Sequence, residues 1–240
     1  LGGGVLNRDV GETDASTGSL FYVRGAHSQV VNDRWAFKIS AGTYSSDAFA
    51  RPVGNVPNGS TPPTPYPRYD NQGTTQPKFD ARFDYDFPDN ERKLQFSGGY
   101  AGTDGIMDTG IGPFDVHSGS AMYYGKVNFN RKAFKVQAFM TVLDGDAANL
   151  VSLDQNGQPI DLVLNTKPFD VELGDTRILA EKHVLTYGGN LRFNRFDLTI
   201  APGEDSRNEG GAYIQDEILL HERFRVVAGA RVDKFSSIDG

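Results

Sequence analysis

The chain has 240 residues, carries a formal net charge of −7 and contains no cysteine. An acidic balance with no basic patch interleaved with aromatics argues against a nucleic-acid binder. No apolar run reaches helical length, which excludes a transmembrane helix. The lack of cysteine fits many exported bacterial proteins but separates few compartments.

In chain order, the first extended segment spans residues 20–27, and a short polar connection over 28–34 leads to the next. There Trp35, Phe37, Ile39 and Ala41 form an apolar row against Lys38, Ser40 and Gly42. A loop over residues 46–75 follows. Then Phe79, Ala81, Phe83, Tyr85 and Phe87 alternate with Lys78, Asp80, Arg82, Asp84 and Asp86. Successive side chains of a strand point to opposite faces, so this ribbon is apolar on one side and charged on the other. The turn over 88–92 precedes a strand in which Leu94, Phe96, Gly98 and Tyr100 oppose Lys93, Gln95, Ser97 and Gly99. A glycine-rich loop is expected over 102–119.

Further on, Tyr123, Val127 and Phe129 oppose Lys126, Asn128 and Asn130. After the turn at 130–132, Phe134, Val136, Ala138 and Met140 oppose Lys135, Gln137 and Thr141. A loop is expected over 144–165, then a strand opened by Phe169, Val171 and Leu173 that ends near Leu179. The turn over 180–183 leads to Leu185, Tyr187, Gly189, Leu191 and Phe193 against Thr186, Asn190, Arg192 and Asn194. A loop over 199–208 follows. Ala212, Ile214 and Ile218 then form a row that Asp216 interrupts. After the turn at 221–223, Phe224, Val226, Ala228, Ala230 and Val232 oppose Arg225, Gly229, Arg231 and Asp233.

These are about ten strands, most near the ~9–11 residues that a tilted strand needs to cross a bilayer. Their connections alternate between very short and very long. The pattern predicts an all-β fold: part of an antiparallel up-and-down transmembrane β-barrel, with short periplasmic turns and long extracellular loops. Phe79, Phe83 and Phe87 should then face lipid, and Asp80, Arg82 and Asp84 the lumen.

Three stretches carry a family resemblance. Gly3 to Asn7 reads Gly-Gly-Val-Leu-Asn. Residues 183–194 read His-Val-Leu-Thr-Tyr-Gly-Gly-Asn-Leu-Arg-Phe-Asn. Residues 210–217, Gly-Gly-Ala-Tyr-Ile-Gln-Asp-Glu, pair with 223–233, Arg-Phe-Arg-Val-Val-Ala-Gly-Ala-Arg-Val-Asp. The chain resembles the TonB-dependent receptors of Gram-negative outer membranes, whose large barrel is filled by an N-terminal plug. The resemblance implies a residual plug end and linker over 1–16 and barrel over 17–240, within a longer protein. It also implies active uptake of a scarce ligand such as a ferric siderophore, cobalamin or an oligosaccharide. The implied partners are outer-membrane lipid, the TonB energy-coupling protein acting through the plug, and a small-molecule ligand. The short connection at 28–34 departs from the family: either a strand is absent or the first segment does not cross the membrane.

Candidate chemistry is sparse. His27, His117, His183 and His221 lack metal-pair spacing. Asp144-Gly-Asp146 and Asp154-Gln-Asn-Gly157 resemble calcium-loop fragments but lack the ligand series, so turns explain them. Asp80, Asp84 and Asp86, interleaved with Lys78 and Arg82, read as lumen lining. No nucleophile elbow or phosphate loop occurs. No catalytic, cofactor or metal residue is assigned, and the chain is not expected to be an enzyme. The one recognition segment is the proline-rich loop over 51–69. Proline stiffness lowers the entropy cost of presenting aromatics, and Tyr66, Arg68 and Tyr69 are its candidate ligand contacts. A passive porin-like channel and a soluble β-sandwich or adhesin are the alternatives.

Overall fold

The computed structural model describes residues 1–7, 17–48, 55, 61–63, 65, 73–109, 112–199 and 205–236. Fourteen strands in chain order make up all the regular structure among them: β1 (Gly2–Leu6), β2 (Gly18–Val30), β3 (Trp35–Ser46), β4 (Thr74–Asp86), β5 (Arg92–Gly102), β6 (Gly105–Thr109), β7 (Gly112–Val116), β8 (Ala121–Arg131), β9 (Phe134–Leu153), β10 (Pro159–Thr166), β11 (Phe169–Leu179), β12 (His183–Leu198), β13 (Ser206–His221) and β14 (Phe224–Phe235). They form one antiparallel sheet. Its main path runs β1-β2-β3-β4-β5-β8-β9-β10-β12-β13-β14.

Neighbouring wall strands pair antiparallel, most of them in continuous register, as period-two alternation with short turns requires. Trp35 lies opposite Tyr85, Phe83 opposite Phe96, and Phe96 opposite Val127. The turns are tied by local side-chain bonds. Asn32 Oδ1 accepts from the backbone N–H of Arg34 and Trp35 at 2.9 and 3.0 Å. Asp89 Oδ1 does the same for Glu91 and Arg92. At the foot of β11, Ala180 and Glu181 both adopt positive φ, 50° and 59°. The Lys182 N–H closes this turn onto the Leu179 carbonyl, which is the primed turn that matches strand twist.

The expected loop over 144–165 is instead mostly strand. β9 runs 20 residues, about 65 Å at ~3.3 Å per residue, and β10 returns along it. Asp144-Gly-Asp146 therefore lies in a ladder rather than a turn, with Asp144 opposite Ala121 on one side and Asn165 on the other. The register slips between Pro159 and Ile160. There Asn149 Oδ1 accepts from the N–H groups of Val151 and Ser152, both at 2.9 Å, and holds the bulge. Asp154, by contrast, does make the tip turn.

β10 and β11 are one strand in all but label. The pairings Thr166↔Phe196 and Phe169↔Phe193 share one register, and Lys167 N–H bonds Arg195 O at 2.7 Å between them. Pro168, which lacks an N–H, supplies the break. The expected loop over 102–119 likewise contains structure: β6 and β7 form a hairpin that docks on the upper part of β9.

Residues 3–6, expected at the end of a plug, lie in β1, which pairs with the upper part of β2. β1 covers only Gly18–Tyr22 of β2, whose other edge pairs with β3 along nearly its whole length.

Candidate functional site

Register assigns every wall side chain to one of two faces. Phe79, Phe83, Phe96, Tyr123, Val127, Leu173, Tyr187, Leu191 and Phe193 share one face. All are exposed, Phe79 and Phe83 by 49% and 45%. Phe87 joins the same side, its ring 4.8 Å from Tyr85 and 6.3 Å from Phe129. With Trp35 4.4 Å from Tyr85, these rings make a continuous belt beside the short turns. Tyr100–Tyr123 and Phe169–Phe193, at 5.1 and 6.4 Å, sit toward the long-loop end. Two aromatic levels bounding an apolar band are the mark of a bilayer-facing surface.

The opposite face is polar and concave. Ala36 on β3 and Tyr213 on β13 line one cavity of about 620 Å³ with Arg82, Asp84, Gln95 and Glu172, so the sheet curves toward this side. Its charges are tied along and across strands. Arg82 Nη2 lies 2.8 Å from Asp84, Gln95 Nε2 donates to Asp84 Oδ1 at 2.9 Å, and Asn128 Nδ2 donates to Gln95 Oε1 at 2.7 Å. Tyr124 OH bonds Asp80. Arg192 pairs with Asp170 at 2.9 Å, and Arg225 with Glu217 at 2.8 Å. Asp80, Arg82 and Asp84 are therefore on the inner side, as alternation predicts. Half-exposed pairs of this kind add little stability, about 0–1 kcal/mol each. Their effect is to make the face wettable.

Arg24, Lys38, Lys78 and Lys126 lie on this inner face without an ion-pair partner among the described residues. Arg24 and Lys78 line a cavity of about 1010 Å³ near the long-loop end together with Tyr22, Tyr44 and Asp80, whose carboxylate is bonded by Tyr124 OH.

Above the band, β6, β7, β9 and β10 build a compact shelf. Phe114, Val116 and Ala147 are buried there against Leu162, and Leu150 is 1% exposed. Ser120 Oγ donates to the Asp146 carbonyl and accepts from the Asp146 N–H, both at 3.1 Å. At the hairpin tip, backbone N–H bonds from Gln158 first, and from Asn156 and Gly157, hold the Asp154 carboxyl below its usual range.

Tyr66, Arg68 and Tyr69 lie outside the described residues. The four histidines are far apart in role. His27 sits against Phe37 at 5.6 Å, His117 faces Asp146 at 3.4 Å, and His221 accepts from the Arg223 N–H at 3.3 Å. His183 Nδ1 bonds Asp216 Oδ2 at 2.7 Å, which explains the carboxylate that interrupts an apolar row. A second outward carboxylate, Asp175, was missed by sequence reasoning. It is 5% exposed and bonds Arg177 at 2.6 Å and Tyr187 OH at 3.2 Å. The available signal was Asp175 and Arg177 continuing the Phe169, Val171, Leu173 row.

An antiparallel arc with a lipid-compatible convex face, a wet concave face, short turns at one end and long loops at the other is the wall of an outer-membrane β-barrel. A family model described as TonB dependent receptor-like, beta-barrel, matches residues 11–239, and the chain belongs to this family of Gram-negative outer-membrane transport receptors, which are not enzymes. Solved structures share the fold. A mutant of the ferric enterobactin receptor PfeA from Pseudomonas aeruginosa aligns with a TM-score of 0.59 at 13% identity, over 91% of this chain and 37% of that one. A double mutant of the same receptor gives 0.57 at 12% identity over the same shares. A third mutant, solved in complex with enterobactin, gives 0.54 at 13%. The chain thus spans 37% of the length of these receptors. A search of curated protein sequences returns no match.

Proposed function

We propose that this chain is part of the wall of an active-transport receptor that takes up a scarce ligand across the outer membrane, with energy delivered from the inner membrane through TonB. The observation that carries the proposal is the family match over nearly the whole chain. In this reading residues 17–240 are barrel and 1–16 the approach to it from a plug, with β1 already paired into the wall. The polar inner face holds the plug, and the shelf and long loops, including Tyr66, Arg68 and Tyr69, meet the ligand first.

The free cations favour an anionic ligand. Arg24 and Lys78, beside Tyr22 and Tyr44, offer charge and aromatic surface at the upper end of the lumen. A ferric siderophore fits that chemistry better than a neutral oligosaccharide or cobalamin. The test is uptake of an iron-labelled anionic siderophore by cells producing the intact protein, with and without a protonophore. Uptake abolished by the protonophore supports active transport. Uptake that persists unchanged would instead make the protein a passive channel.

A further inference from the structure

We propose that the outer wall carries a built site for a phosphate-bearing membrane lipid, formed by a trough over Gly210 and Ala212 and by Lys234, Arg195 and Lys167 at its upper end. The proposal rests on the membrane-spanning fold alone and is independent of which ligand is transported.

The trough follows from register. On the lipid-facing side Leu191 lies opposite Gly210, Phe193 opposite Asn208, Lys234 opposite Gly210, and Val232 opposite Ala212. The central strand β13 therefore presents almost no side chain, while its neighbour β12 raises Leu191 and Phe193, exposed by 56% and 44%, and β14 adds Val232 on the other side. The result is an apolar groove of about 510 Å³ whose upper end is polar, with Asn208, Lys234 and Ser236. Gly210 is its floor. A Cβ there would come 3.0 Å from Leu191 Cδ2 and begin to fill it. A strip of this shape suits an extended acyl chain, which gains contact on three sides instead of one.

The level of the upper end is set by counting from the turns. Phe193 and Lys234 each lie ten residues beyond the first residue of their strands, His183 and Phe224. On a tilted strand that is about 25 Å, the height of the apolar band. The Phe169–Phe193 pair, at 6.4 Å, marks the boundary. One rung above it Lys167 and Arg195 lie side by side, joined by the 2.7 Å backbone bond. Lys167, Arg195 and Lys234 are exposed, and none has an ion-pair partner among the described residues. Asp144 and Asp197 stand one rung further out on the same face and pair with neither Lys167 nor Arg195. Lys234 lines the chain-sized groove, and Arg195 and Lys167 continue the cationic surface from it across β12 at headgroup height, which matches a phosphorylated lipid of the outer leaflet. A zwitterionic headgroup would leave much of that charge unmatched.

The test uses the intact protein, extracted in neutral detergent and stripped of lipid. It is titrated with dioleoyl phosphatidic acid and with dioleoyl phosphatidylcholine, and retained lipid is read by native mass spectrometry. The wild type should retain phosphatidic acid about 10-fold or more over phosphatidylcholine, because cations near a lipid surface favour anionic headgroups. The triple variant Lys167→Gln, Arg195→Gln, Lys234→Gln should lose that preference. Gly210→Leu should reduce retention of both lipids by filling the groove. Each variant is first checked for the heat-modifiable gel mobility of a folded barrel. Equal retention of the two lipids by the wild type, or an unchanged preference in the triple variant, overturns the proposal. So does displacement of phosphatidic acid by inorganic phosphate at equal concentration, which would make the free anion the ligand. Siderophore uptake is measured in parallel, and its loss or survival bears on the transport proposal only.

Discussion

Asp216 is the residue at which one-dimensional alternation and three-dimensional structure disagree. On its own strand it places a carboxylate in an apolar row that faces lipid. Across the ladder it lies opposite Leu185, one rung from His183, whose Nδ1 it bonds at 2.7 Å. A hydrogen-bonded imidazole offsets the cost of carrying a carboxylate on this surface, and both residues lie close to the short turns, where polar groups cost least. Asp216 Oδ1 is buried and has no hydrogen-bond partner among the described residues, so the bond to His183 is the one these residues give the carboxylate. His183→Leu should therefore destabilise the barrel by about 1–3 kcal/mol, the cost of an acceptor left unsatisfied. The double variant His183→Leu, Asp216→Leu should recover most of that loss, because an apolar pair suits a lipid-facing surface. Urea midpoints of the folded protein in micelles would show it. A double variant no more stable than His183→Leu would mean that Asp216 acts independently of its neighbour. The break at Asp216 is legible in the alternation but its partner is not, because His183 lies 33 positions away and only register joins them.

Among elements, the wall was legible and the shelf was not, for a physical reason. Wall strands face two different surroundings, so selection writes period-two alternation into them: Lys78 to Phe87 shows it without a gap. The β9–β10 extension and the β6–β7 hairpin lie above the membrane and bury side chains on both faces. Residues 147–150, Ala-Ala-Asn-Leu, are all buried, and a segment buried on both sides carries no alternation to read. The glycines there read as loop, yet at least one is a close-packed joint. Gly105 has φ +95°, and a Cβ would lie 2.6 Å from the Gly73 carbonyl oxygen, where the base of the shelf meets β4. Gly119 has a similar φ of +103°, but no atom of the described residues lies within 4 Å of its Cβ position. Both Gly→Ala variants bear the backbone cost of a left-handed residue, about 1 kcal/mol or more. Only Gly105→Ala adds the clash. Hydrogen exchange should therefore show faster opening of β6–β7 in Gly105→Ala than in Gly119→Ala. Equal rates would mean that the contact with Gly73 does not hold the shelf.

For the whole molecule, the two faces determine what the sheet can be. A soluble sandwich would bury Phe79, Phe83, Phe96 and Val127 against a second layer, yet all four are exposed in one continuous band. The concave side is no substitute core, since its cavity is lined by Arg82, Asp84, Asp86 and Lys93. Only a surrounding that is apolar outside and aqueous or plugged inside satisfies both. This gives a sharp asymmetry between substitutions on opposite faces of neighbouring wall strands. Phe83 is mid-strand on β4, flanked outward by Phe37 at 6.4 Å and by Phe96. Phe83→Arg places a charge in the apolar band and should cost about 2–4 kcal/mol. Gln137 is on β9, facing inward opposite Asn128 and Glu172. Gln137→Arg meets a carboxylate and water, and should change stability by no more than about 0.5 kcal/mol. Both are read as shifts in the urea midpoint of the protein folded in phospholipid vesicles. In a sandwich or any fold with its apolar face in water, Phe83→Arg would be mild, so comparable midpoints for the two variants would overturn the membrane orientation of the sheet.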